Sequence, residues 1–244
     1  MTLNAQLKAF QRAFAENADS SVVRAISRAD AALRSSGILD RCKKAGDRMP
    51  DFTLPDANGR PVTLSRLLLR GPVVVSFYRG DWCDYCALEL SALAGIHQDI
   101  CELGASLVAV SSQSPDTRMR TDLLDLPFSM LWDAKAKVAR RCGITYTVPA
   151  ALRPIYSGAG LRPHGRGEEG WRLPLPATYI ADWTGRIVLS WPTNEGGAYI
   201  LQSNANPAAS TGWADVPGTP TTVGTLYMVT NAASAPSIFF RLKQ

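Results

Sequence analysis

The chain has 244 residues, of which 46% are hydrophobic and 19% charged, with a formal net charge of +5. This composition excludes intrinsic disorder and a collagen-like repeat and implies a globular chain of one to two domains. There is no run of about 18 uncharged apolar residues and no cationic start followed by an apolar core in MTLNAQLKAF, so the expectation is a cytoplasmic protein without a membrane partner. The basic residues are scattered among acids rather than gathered in a stripe, which argues against nucleic acid as a partner.

In chain order, Leu3, Leu7, Phe10 and Phe14, and then Val22, Val23, Ile26, Ala32 and Leu33, recur at helical spacing up to Gly37. They predict two amphipathic helices over residues 2–36. A polar link, CKKAGDR, leads to DFTL, DANGR and PVTL, where Asn58-Gly59 between short apolar runs predicts a tight β-hairpin, followed by a helix over 64–70. PVVVSFY (72–78) and SLVAVS (106–111) are β-branched runs of the kind found in buried strands. The helix between them makes a βαβ unit with parallel strands.

Ser114-Pro115-Asp116 predicts the start of a helix over 115–124, FSML (128–131) a further strand, and Asp133 the cap of a helix over 134–142 that Gly143 ends. Residues 153–174 read as a loop insertion rich in Gly and Arg, in which Arg162, Arg166 and Arg172 are better taken as solvated than as an anion-binding approach. ATYIAD (177–182) and RIVLSW (186–191) predict a hairpin that completes the sheet. Beyond Pro192 the composition breaks: Glu195, Asp215, Arg241 and Lys243 are the only charges in 193–244, and alternating runs between turn residues predict a small all-β module. The organisation expected is therefore a helical extension over 1–45, an α/β domain over 46–192 and a β-rich module over 193–244.

The chemistry centres on DWCDYC. Cys83 and Cys86 form a Cys-x-x-Cys pair behind Trp82, at the C-terminal edge of a central strand, where α/β folds place their sites. The following helix carries an apolar stripe of Leu90, Leu93, Ile96, Ile100 and Leu103, which turns Cys86 inward and leaves Cys83 at the more open helix start. Cysteines three apart over a first helical turn can approach to disulfide distance, and a helix N-terminus lowers a thiol pKa. Asp84 between them is expected to raise both by like-charge repulsion. Cys101, fifteen residues on along one helix, is about 22 Å away and cannot pair with Cys86. Cys142 reads as a small core residue, His97 as a surface residue of the helix, and Cys42 as exposed, leaving an intermolecular bridge and a homodimer open. With only His97 and His164, no spacing supplies a zinc site, and no cofactor is expected.

FYRGDWCDYCALEL resembles the active-site segment of peroxiredoxin-like members of the alkyl hydroperoxide reductase C and thiol-specific antioxidant family. AGDRMPDFTLPDANG, SPDT and PLPATYIAD extend the resemblance over about residues 2–191. It implies a thioredoxin fold, with a central mixed sheet flanked by helices, and thiol-dependent reduction of hydroperoxides, regenerated by thioredoxin or a similar dithiol donor. In the peroxiredoxin register Cys86 matches the peroxide-attacking cysteine, Glu89 the acid three residues after it, and Cys83 the position of a Thr or Ser. In the thioredoxin register Cys83 is the nucleophile, Cys86 resolves it, and Pro176 matches the cis-proline loop.

Cys86 is favoured as the attacking residue on the Glu89 match. Arg79 stands where the family has Pro, and Leu175-Pro176 where a late Arg is expected, so Arg79 is expected to supply the charge beside the reacting sulfur, with Tyr78 and Trp82 in support. Two alternatives are a general thiol-disulfide oxidoreductase using the same pair and a redox-inactive binding or scaffold protein. A thioredoxin-type fold ends in a helix, and none is patterned after Trp191, so the β module is expected to cover that face.

Overall fold

The computed structural model describes residues 2–113, 125–161, 167–192, 200–204, 211–216, 221–223, 226–229 and 239–243. The helix expected over 115–124 lies outside the described residues, as do Arg162, His164 and Arg166.

Two helices open the chain, α1 (Leu3–Asn17) and α2 (Ser20–Arg34). Thr2 caps the first by accepting from the Ala5 N–H, and Asp19 the second by accepting from the Ser21 N–H at 2.6 Å, so each supplies an acceptor to a helix-end donor that has none inside the helix. Gly37, at φ +67°, ends α2 as expected and passes the chain to the single turn α3 (Ile38–Arg41). The expected hairpin follows as β1 (Thr53–Pro55) and β2 (Pro61–Thr63), paired antiparallel. Its turn is held by the Asp56 carboxylate, which accepts from the Asn58 and Arg60 N–H groups.

After α4 (Leu64–Leu68), the buried strand β3 (Val73–Phe77) leads to α5 (Asp84–Gly95), α6 (His97–Glu102), β4 (Ser106–Ser111) and β5 (Ser129–Trp132). β3, β4 and β5 run parallel, so the βαβ reading holds. The single helix expected after the cysteines is instead two. Gly95, a poor helix former, precedes a break at Ile96 (φ −112°, ψ 9°). Leu93 and Ile100 pack toward the core, whereas Ile96 and Leu103 are 48% and 51% exposed, which corrects the last part of the predicted stripe.

Asp133 caps the next helical segment as expected, through its carboxylate on the Val138 and Ala139 N–H groups. The first turn is 3-10 with Lys135 and Ala136 at positive φ, and only α7 (Lys137–Arg141) is α-helical. β6 (Thr145–Thr147) comes next. The stretch 153–174 is more than a loop: it contains α8 (Arg153–Gly158), a 3-10 turn and β7 (Arg172–Pro174), which pairs with β6. Tertiary pairing to β6 organises a segment whose composition reads as irregular.

β8 (Ala177–Ala181) runs antiparallel beside β3 and completes a mixed sheet of order β5-β4-β3-β8. The predicted partner of β8 is reduced to a turn and one bridge, Ala181 to Ile187. β9 (Leu189–Pro192) leaves that sheet and pairs with β13 (Leu226–Val229), which also pairs with β12 (Thr221–Val223). β10 (Ile200–Asn204) is flanked by β11 (Ala214–Asp215) and β14 (Phe239–Lys243). No helix follows β8 among the described residues.

Alternation along β3 builds two cores. Val73, Val75 and Phe77 face one side, with Phe52, Leu64, Val110 and Ile144. Val74 and Tyr78 face the other, where α5 lays Cys86, Ala87 and Leu90. Leu90 is fully buried, so α5 is fixed to the sheet within one turn of the cysteines. A third cluster, Val148, Leu152, Leu161 and Leu173, carries Ala25, Ile26 and Ala29 of α2 on its surface. On α1, the Phe10 ring meets Tyr85 of α5 edge-on at 4.8 Å.

Candidate active site

β3 ends at Phe77, and after five intervening residues α5 begins with Cys83 as its N-cap, where the thiol sulfur accepts from the Cys86 N–H at 3.3 Å. Gly80, at φ +151°, makes this turn possible, because a Cβ there would fall 2.3 Å from Gln113 Oε1 and 2.5 Å from Trp82 Nε1. Asp81, itself buried, fixes the loop, its N–H donating to Gln113 Oε1 at 2.7 Å and its carboxylate accepting from Gln113 Nε2.

The two sulfurs are 2.7 Å apart and only 3% (Cys83) and 1% (Cys86) exposed. Three donors converge on Cys83: the Cys86 thiol, the Cys86 N–H, and the Arg79 guanidinium, whose Nη2 is 3.0 Å away. The hydrogen bond from Cys86 and the charge of Arg79 outweigh burial and bring Cys83 down to about 6. Cys86 has one donor besides, the Arg79 backbone N–H at 3.5 Å, and its bond to Cys83 together with burial holds it as the thiol. The arrangement makes Cys83 the anion of the pair and Cys86 its proton-bearing neighbour. Asp84 is exposed, and the leading influences on the two thiols are their mutual hydrogen bond, burial and Arg79.

Arg79 is held in turn from above. Its Nη1 donates to Tyr156 Oη at 3.2 Å, and its guanidinium carbon lies 5.3 Å from the Trp82 ring centre and 5.8 Å from that of Tyr156. Burial opposes its charge, and the Cys83 sulfur more than restores it. Two N–H donors beside the thiols, Arg79 Nε and Trp82 Nε1, are buried without a partner. Arg79 and Tyr156 line a pocket of about 540 Å³, with Tyr146, Leu152, Leu175 and Pro176 on the inner side and Ile26, Ala29 and Leu33 of α2 on the outer.

The expected site residues are not all brought together. Tyr78 is buried below the pair, its hydroxyl bonded to Ser111. Glu89 is one helical turn away on α5 and accepts from the Thr178 hydroxyl of β8 at 3.2 Å, which sits 3.1 Å from Ser76 Oγ; burial raises its carboxyl. No bond from Glu89 to either sulfur is found among the described residues. Pro176 lines the pocket, and no peptide bond among the described residues is cis. Tyr146 and Tyr156 were not singled out by the sequence, since nothing local marks a tyrosine that reaches Arg79 across 67 or 77 positions of chain.

The other cysteines lie elsewhere. Cys142 is fully buried in the first core, as expected, and burial pushes its thiol up to about 12. Cys42 is half-buried rather than exposed and donates to the Leu39 carbonyl. Cys101 is exposed on α6, not on the helix of Cys86, with His97 Nε2 at 3.6 Å. His97 is half-buried against the Phe128 ring rather than a free surface residue. Among the described residues no cluster of three or more His, Cys, Asp or Glu could hold a metal, and no helix is long and apolar enough to cross a membrane.

The chloroplastic peroxiredoxin Q of Sedum lineare is 34% identical over 115 residues, 47% of this chain and 61% of the relative. A Mycobacterium tuberculosis protein that bears the peroxiredoxin name is 31% identical over 113 residues, 46% of this chain and 73% of its own length. The crystal structure of peroxidoxin BcpB from Mycobacterium tuberculosis overlays with a TM-score of 0.47 at 27% identity, covering 59% of this chain and 82% of that one. The AhpC/TSA family profile matches residues 45–190, which hold the whole mixed sheet and both site cysteines, and the chain belongs to that family.

Proposed function

We propose that the protein is a thiol peroxidase in which Cys83 attacks a hydroperoxide and Cys86 resolves the product, regenerated by a thioredoxin-type dithiol donor. The observation that carries this reading is the convergence of three donors on the Cys83 sulfur. It favours the thioredoxin register for the first step, the reverse of the assignment based on Glu89.

The Cys83 thiolate attacks the distal peroxide oxygen, the O–O bond breaks, and the departing alkoxide or hydroxide takes a proton from solvent. This leaves a sulfenic acid on Cys83 and an alcohol or water. The Cys86 thiol, already 2.7 Å away, displaces hydroxide from that sulfur as water and closes a disulfide. A dithiol donor then reduces the disulfide and is itself oxidised. Thiolate formation alone gives little: a pKa of about 6 leaves roughly 90% thiolate at pH 7, but the weaker base is also a weaker nucleophile. The larger gain comes from donors that meet the charge on the leaving oxygen, and the Arg79 guanidinium, 3.0 Å from the Cys83 sulfur and with its Nε unpaired, is the group that supplies one.

The setting this chemistry needs is one that keeps thiols reduced, such as the cytoplasm. The half-buried Cys42 offers little support for a bridged homodimer. A second reading, a general disulfide oxidoreductase, draws on the same anionic Cys83, but a sulfur 3% exposed favours a small peroxide over a protein disulfide. The test is to treat Cys83→Ser and Cys86→Ser separately with one equivalent of peroxide and trap sulfenic acid for mass spectrometry. Trapping on Cys83 in the Cys86→Ser protein, with little on Cys86 in the other, is expected. Trapping on Cys86 alone would return the roles to the peroxiredoxin register, and no peroxide consumption by the reduced parent would remove the peroxidase reading.

A further inference from the structure

The pocket that Arg79 lines is bounded by two different parts of the chain. Its floor and inner wall, from Arg79 to Pro176, lie in the segment that the family profile matches, residues 45–190. Its outer wall is α2, over Ser20–Arg34, which precedes that segment. Ile26, Ala29 and Leu33 are spaced three and four apart, so they share one face of α2. That face meets the pocket, and α2 has no fully buried residue of its own. The face is shared: Ile26 and Ala29 pack in part on the cluster of Val148, Leu152, Leu161 and Leu173, and with Leu33 they also line the pocket, so a ligand held there would touch α2 directly.

The cavity has the character of an organic-ligand site. Its volume of about 540 Å³ lies in the range of small-molecule pockets and is far more than a two-oxygen molecule needs. Its lining is mostly apolar, along Ile26, Ala29, Leu33, Leu152, Leu175 and Pro176, with Asp30, Arg41, Thr145 and Thr147 among its polar members, and the polar group that joins it to the site is the Arg79 guanidinium, which touches the Cys83 sulfur and has one buried N–H unpaired. A molecule that fits this distribution has a compact apolar body and one polar, oxygen-bearing end.

We propose that α2 is the specificity element of the site. Ile26, Ala29 and Leu33 hold the apolar body of an organic hydroperoxide about the size of cumene hydroperoxide, with its peroxy group at Arg79, and so select it over hydrogen peroxide. This inference rests on the peroxidase reading for its chemistry, but the pocket can be tested without turnover.

The experiment measures kcat/KM of the full chain with cumene hydroperoxide and with hydrogen peroxide, using dithiothreitol as donor, for the parent, Ala29→Trp and Ile26→Ala. In parallel, binding of cumyl alcohol, the product, to the Cys83→Ser, Cys86→Ser protein is followed by ligand-observed NMR, with and without Ala29→Trp. The parent is expected to prefer cumene hydroperoxide at least tenfold. Filling the pocket with Ala29→Trp should lower the ratio of the two kcat/KM values at least tenfold and abolish alcohol binding. Ile26→Ala, which trims the wall and serves where the Trp variant does not fold, should lower the ratio about threefold. Equal ratios in the parent and in every folded variant, with no alcohol bound, would overturn the specificity role while leaving the peroxidase reading intact. Alcohol binding that Ala29→Trp removes, in a protein that consumes neither peroxide, would support the pocket and overturn the peroxidase reading.

Discussion

Replacing Arg79 by Met keeps a long apolar stem and removes the guanidinium, so it isolates the charge beside Cys83. The depression of the Cys83 thiol from 9.0 to about 6 corresponds to about 4 kcal/mol of preference for the anion, shared among Arg79, the Cys86 thiol and the Cys86 N–H. A charge-assisted bond at 3.0 Å contributes about 1.5–3 kcal/mol of that. Arg79→Met should therefore raise the Cys83 pKa to between about 7 and 8. Because the reactive form is the anion, the rate of alkylation rises with pH through this value, and its midpoint should move upward from about 6.

At pH 7 the thiolate fraction falls about fourfold, but the more basic sulfur gains about fivefold in nucleophilicity at a Brønsted slope of about 0.45, so alkylation by iodoacetamide should stay within about twofold. Reaction with peroxide should fall at least tenfold, since the leaving oxygen loses a donor that no change in thiol basicity replaces. The assay is the pH profile of iodoacetamide alkylation at Cys83, read by peptide mass spectrometry with Cys86 intact, beside stopped-flow peroxide consumption by the reduced chain. An alkylation midpoint unmoved by Arg79→Met would refute the electrostatic argument, and a peroxide rate that tracks alkylation would refute the leaving-group argument.

Tyr156→Phe removes the acceptor that holds Arg79 Nη1 and should slow peroxide reaction about two- to fivefold, with a smaller upward shift of the same midpoint. Gly143→Ala places a methyl 2.1 Å from the Arg41 carbonyl oxygen at φ +72°, so thermal unfolding should show a loss of at least about 2 kcal/mol. Asp133→Ala strips two backbone N–H groups of α7 of their acceptor in a site 1% exposed and should cost about 2 kcal/mol by denaturant titration, with Asn recovering part of it. A chain ending at Val188 should keep its peroxide chemistry, because among the described residues the three hydrophobic clusters draw on Ala25 to Ile187, and should melt earlier than the full chain. Lost chemistry in that shortened chain would tie the β-rich segment to the site.

Local signals carried the architecture where chemistry and pairing were both near in sequence. Asn58-Gly59, the β-branched 72–78 and 106–111, and the Asp133 cap each act over a few residues, and each was legible. The misread elements depend on distant partners. RIVLSW has the pattern of a strand but forms one only from Leu189, and nothing in its own residues says that Leu189–Pro192 pairs with Leu226–Val229 rather than with its neighbour β8. Residues 153–174 look irregular because their order comes from β6 and from packing on α2. The break at Ile96 was masked by an apolar residue at the right spacing, although Gly95 was the available signal.

The site divides in the same way. The thiol pair and Arg79 were legible because they are contiguous, whereas which sulfur carries the charge depends on side-chain placement and on Tyr156 from α8. Register matching weighed Glu89 heavily, but in the folded chain that carboxylate is occupied with Thr178.

In the proposed cycle, the depth of the two sulfurs would separate the two halves kinetically. A peroxide is small enough to approach along the pocket that Arg79 lines, so the oxidative half would scale with its concentration. A dithiol carried on another protein cannot touch sulfurs 3% and 1% exposed until the surface around them, including Phe10 of α1 packed on Tyr85, moves aside. The reductive half would then saturate at a first-order opening rate however much donor is supplied, and a small dithiol would escape that ceiling. A plot of turnover against donor concentration would thus report the opening frequency of this surface directly.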